Sequence, residues 1–124
     1  MKKDTVNKWI AIILGELYEN FPKRIILCPE EIDKNADFQA QEAIKDLIIW
    51  LKEEGIIRYE NTDISGCFND VSLTLKGFTV LNAVPDPLKK KENIGEFFKT
   101  AIKESSINAI NQAVSKLFQT LLGV

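Results

Sequence analysis

No histidine occurs in the 124 residues. Without an imidazole the chain lacks the usual general base near neutral pH and both the Ser-His-Asp and Cys-His routes to an activated nucleophile. The same absence, together with the lack of a Cys-x-x-Cys pair, argues against a zinc site. The two cysteines, Cys28 and Cys67, fall in different predicted elements with no partner spacing. A disulfide between them is open but has no support in the spacing, and reduced thiols are expected, as in most cytosolic chains. The six glycines are scattered and form neither a dinucleotide fingerprint nor a phosphate loop. No run approaches the roughly 18–20 apolar residues that cross a bilayer. The charged start Met1-Lys2-Lys3-Asp4 leads into a stretch interrupted by Asn7, Lys8, Gly15 and Glu16, which is an amphipathic helix and not a signal peptide. Eighteen carboxylates read as a solvated acidic surface. These absences predict a cytoplasmic, non-enzymatic protein with no catalytic residues, cofactor, metal or membrane anchor.

What remains is an ordinary globular composition, 45% hydrophobic and 27% charged, in a length that suits one domain with an appendage. Val6, Ile10, Ile13 and Leu17, flanked by Trp9, Leu14 and Phe21, recur at helical spacing, so a first helix is predicted from about Asp4 to Asn20. Ile12 falls on its other side and hints at a second covering surface. After Pro22, the β-branched run Arg24–Leu27 predicts a strand. Pro29 suits the first turn of a short helix reaching about Lys34, with Glu30 and Glu31 favouring its positive end. Asp37 is a candidate N-cap for a third helix, Phe38 to Glu54, whose core stripe is Ala40, Ile44, Leu47, Ile48 and Leu51. Gly55 stops it. Ile56–Glu60, turn residues from Asn61 to Asn69, and a return strand from Asp70 predict a β-hairpin. Thr74 then caps a fourth helix ending near Val84.

The order helix, strand, helix, helix, hairpin, helix, and the stretch Leu73-Thr74-Leu75-Lys76-Gly77 continuing Phe78-Thr79-Val80-Leu81, resemble the winged helix-turn-helix superfamily. The match is to the Leu-Thr-x-Lys-Gly segment that leaves the wing in bacterial regulators of the multiple-antibiotic-resistance and phenolic-acid repressor classes. A physical reason accompanies it: Thr74 caps the helix, and Gly77 leaves its first turn free to pack closely. The resemblance implies an α+β, mostly α, winged-helix domain over residues 1–84, a linker over residues 85–91 and an extra C-terminal helical segment over residues 92–124. It also implies that the third helix is the recognition element.

Charge argues against the ordinary task of such an element. A groove reader neutralises phosphates with Lys and Arg, yet residues 29–70 hold eleven acids against four bases, a balance of −7 in a chain of net charge −2. With the apolar stripe turned inward, Gln39, Glu42, Asp46, Trp50 and Glu53 point outward. Gln39 and Gln41 are able to hydrogen-bond base edges, but Glu42 and Asp46 would repel phosphate, and Asn61–Asn69 contains no basic residue. Gln39, Glu42, Asp46, Trp50 and Glu53 are therefore expected to bind a protein partner, with Trp50 as anchor and the acids steering a basic surface, as an immunity- or antitoxin-like protein would. The alternative is a merely solvated acidic face, with Trp50 packed beneath the hairpin or against the last helix. The competing function is a dimeric DNA-binding transcriptional regulator.

The C-terminal segment carries two apolar stripes. Ile94, Phe97, Phe98, Ala101 and Ile102 make the first; Ile110, Ala113, Val114, Leu117, Phe118 and Leu121 make the second. At about 100° per residue the two are offset by nearly half a turn, with the shift near Ser105 and Ser106, either of which would cap a new helix. Ile110, Val114, Leu117 and Leu121 follow the spacing of a helix-pair seam, so a homodimer through this half is expected. A bend that folds the stripe back onto Trp9, Ile12 or Trp50 is the opposing reading.

Overall fold

The computed structural model describes residues 2–84 and 92–123; the predicted linker, residues 85–91, lies outside them. The first helix, α1, spans Lys3–Asn20. Its central half is buried, through Trp9, Ile10, Ala11, Ile13, Leu14, Gly15 and Leu17. A helix buried on so wide an arc must be covered from more than one side. On one side lie the sheet and the short helices. On the other lie α5, Ile94–Lys103, and α6, Ile107–Leu122.

Between them the chain runs through β1 (Ile25–Leu27), α2 (Pro29–Ile32), α3 (Phe38–Glu53), β2 (Ile57–Arg58), β3 (Asn61–Thr62), β4 (Phe68–Leu73) and α4 (Leu75–Leu81). The architecture is α+β and mostly helical, with a small antiparallel sheet. Strand β4 is central: β1 pairs on one edge, while β2 and β3 pair in succession on the other. Ile25 faces Val71 and Leu27 faces Phe68, so β4 gains one residue against β1. Asp70 lies in that interval with φ of 57°, a left-handed conformation that aspartate tolerates better than most side chains.

One connected core takes residues from every part of the chain: Ile13 and Leu17 of α1, Ile44 and Leu51 of α3, Phe68 and Val71 of β4, Phe98 of α5 and Leu117 of α6. Polar side chains lock the helices laterally. The Trp9 indole N–H donates to Asp33 Oδ2 at 3.1 Å. Asn7 donates to Asn111, which donates in turn to Asp4, both at 3.0 Å. Asn93 caps α5 in a capping box with Glu96 and donates to the Tyr18 hydroxyl at 2.7 Å.

Two of the predicted caps are Asp37, accepting from the Ala40 N–H, and Thr74, accepting from the Gly77 N–H. A Cβ on Gly77 would overlap the Ile56 carbonyl oxygen, which is the close approach predicted for that position.

Two expectations are corrected. Cys28 and Cys67 are not reduced thiols; they form a disulfide. Cys28 ends the β1 side of the sheet and Cys67 leads into β4, and antiparallel pairing of β1 with β4 brings the two together. Closing a loop across a separation of 39 residues contributes about 4 kcal/mol on the chain-entropy model. The second correction concerns the C-terminal stripe. Ile110, Val114 and Leu117 are buried inside their own chain and Leu121 is half-buried; α6 packs against α1 and α5. The chain turns at Ser105, with φ of 52°, and Ser106 caps α6 by accepting from the Ala109 N–H. That turn brings both stripes onto α1, so the second does not face away as a dimer seam.

Candidate functional site

Helix α3 has the rotation its apolar pattern predicts: Ile44, Leu47, Ile48 and Leu51 are its buried residues. Gln39, Glu42, Asp46, Trp50 and Glu53 are all exposed and follow one another along a single outer stripe. Its two lysines are both engaged. Lys45 is held by Glu42 at 2.9 Å, with its aliphatic end against the turn at Gly66. Lys52 lies over the Tyr59 ring, 4.6 Å from the centroid, a cation–π contact that draws it towards the sheet. Asp46 and Glu53 appear in no ion pair among the described residues.

Beside α3, the turn between β3 and β4 is shorter than the pattern predicts, because Asn61, Thr62, Phe68 and Asn69 belong to strands. Asp63 organises it. Its Oδ1 accepts from the Ser65 hydroxyl at 2.6 Å, the Ser65 N–H at 2.9 Å and the Cys67 N–H at 3.1 Å. These hydrogen bonds, that of the Ser65 hydroxyl foremost, hold the Asp63 carboxyl below the usual carboxylate range. Gly66, at φ of 86°, supplies the left-handed residue of the turn. Ile64 projects fully exposed from the tip, and the disulfide ties the base to the end of β1. The nearby Arg24 pairs with Glu60 at 3.7 Å.

At the far end of α3, Trp50 keeps 40% of its surface exposed and meets the Phe118 ring edge-on, with centroids 6.4 Å apart. The indole thus packs against the last helix, one of the two placements open from sequence, and not beneath the hairpin. Together with Leu121 and Leu122 these rings wall a groove of about 320 Å³, floored by Leu51, Ile56 and Leu117, with Glu54 and Lys76 also lining it. Sequence reasoning did not find this groove. Its signal was the Leu121-Leu122 pair, which carries apolar character past the α6 stripe.

Among the described residues there is no group of three His, Cys, Asp or Glu side chains able to hold a metal ion. No buried side-chain polar atom there lacks a partner. No helix among them is long and apolar enough to cross a membrane. No protein-family model matches the chain, and no curated protein or solved structure is significantly similar to it.

Proposed function

We propose that the chain is a non-enzymatic winged-helix module that binds a basic protein through the outer face of α3. The fold reading is supported by the element order from α1 to α4, by the sheet order β1-β4-β2, and by the Thr74 cap and Gly77 approach within the motif that carries the resemblance. The observation that carries the function is electrostatic. Glu42, Asp46 and Glu53 stand exposed on the helix that would enter a major groove, and the two lysines of that helix are drawn to Glu42 and to Tyr59. Such a surface repels phosphate and speeds encounter with a cationic partner.

The double charge reversal Glu42→Lys with Asp46→Lys tests this. Both side chains are exposed, so stability is expected to change by no more than about 0.5 kcal/mol. Affinity capture from the native host is expected to retain a basic protein on the wild type and to lose it on the variant. Retention of the same proteins by both would remove the acidic face from the function.

The disulfide also bears on the compartment. Such bonds persist where the surroundings are oxidising and are rare in the cytosol, so the Cys28–Cys67 bond favours an oxidising site of action over the cytoplasmic one expected from sequence. Alkylating thiols in the host before lysis reads this directly. Two unmodified cysteines are expected; two alkylated ones would return the protein to the cytoplasm.

A further inference from the structure

Two of the grooves among the described residues are walled mainly by apolar side chains and contrast in the charge at their rims. The one between α1 and α5 is rimmed by Glu16 and Glu19 on one side and by Lys99 and Lys103 on the other, with Lys99 already paired to Glu19 at 3.3 Å. Balanced in this way, it selects no sign of charge in a partner. The Trp50 groove differs. Helices α3 and α6 both end at it, since Glu54, Leu121 and Leu122 line it, and helix C-termini present partial negative charge. Glu53 and Glu54 are exposed on the α3 side, and Asp46 lies about two turns back on the same face. Among the described lining residues the one cation, Lys76, is turned to the Glu54 carbonyl at 3.2 Å.

We infer that this groove is the anchor point of the partner, and that its occupant is an amphipathic basic helix. One or two aliphatic side chains would enter between Trp50, Phe118 and Leu122, while flanking Lys or Arg residues meet Glu53, Glu54 and Asp46. The volume of about 320 Å³ sits at the low end for a small-molecule pocket and suits side chains presented at i and i+4 by a helix laid in a groove. An exposed tryptophan at the centre of such a patch is the usual anchor of a binding surface. The inference rests on the acidic-face reading above and adds to it the partner's apolar spacing.

The test uses the intact protein and two synthetic probes: a leucine–lysine amphipathic helix of roughly 14 residues, long enough to approach a stable helix, and an oligolysine of equal charge. Trp9 is 2% exposed and Trp50 is 40% exposed, so changes in tryptophan emission report on Trp50. The amphipathic helix is expected to bind saturably and to shift that emission to the blue. Its affinity, followed by anisotropy of the labelled peptide, is expected to fall about tenfold in Trp50→Ala and about tenfold in Glu53→Lys with Glu54→Lys. Leu122→Gln, at a position 76% exposed and so unable to disturb the core, is expected to weaken binding in the same direction. Absence of a blue shift, or binding indifferent to Leu122→Gln and Trp50→Ala, overturns the inference. Equal binding of oligolysine also overturns it, yet leaves the acidic-face reading standing, because that reading is judged by the Glu42 and Asp46 reversal.

Discussion

Gly77 and Gly15 are both helical glycines, and they predict opposite outcomes for the same substitution. At Gly77 a methyl group would meet the Ile56 backbone carbonyl, and neither backbone gives way cheaply, because Thr74 also hydrogen-bonds the Gly55 and Ile56 carbonyls. Gly77→Ala is expected to cost about 1–3 kcal/mol. At Gly15 the new methyl would rest 3.8 Å from Phe98 Cβ, an ordinary contact. Gly15→Ala is expected to stabilise by about 0.5–1 kcal/mol through helix propensity. Urea denaturation of the two variants checks both signs. The role of Gly77 was legible in the sequence because a cap and the turn behind it are local features. The Cys28–Cys67 bond was not, because sequence spacing says nothing about which strand edges meet. Asp63, which builds the β3–β4 turn, was visible only as one turn residue among several.

At the scale of elements, α3 and α6 divide what periodicity can and cannot tell. Their apolar stripes were equally plain. For α3 the stripe settled the rotation: Ile44, Leu47, Ile48 and Leu51 enter the core, and Gln39, Glu42, Asp46, Trp50 and Glu53 face outward as the pattern requires. For α6 the stripe fixed which residues share a face but not what that face meets. The half-turn offset between the α5 and α6 stripes left a partner-facing seam and a bend both open; the turn at Ser105 lays both stripes on α1. Leu117 is 1% exposed inside this packing. Leu117→Ala is therefore expected to cost about 2–5 kcal/mol in chemical denaturation, with light scattering giving one mass for the variant and the wild type. Dissociation of a wild-type dimer by this substitution, with stability intact, would restore the seam.

For the whole molecule, charge is distributed unevenly in a way that composition alone hides. A net charge of −2 looks neutral, yet residues 29–70 carry −7 and the remainder +5. Four of the eleven acids, Glu42, Asp46, Glu53 and Glu54, lie exposed along α3 and at the end of the groove beside it, against Lys45 and Lys52. This asymmetry was readable before any coordinates, and it remains the reason for assigning a protein partner to α3. Its most direct test is a titration of random-sequence duplex DNA into the wild-type protein at low salt. The account predicts no binding, because too few free cations face outward from α3 and the β3–β4 turn to release counterions from a polyanion. Binding at low salt that falls steeply between about 50 and 200 mM salt would contradict it and make the chain a DNA-binding protein.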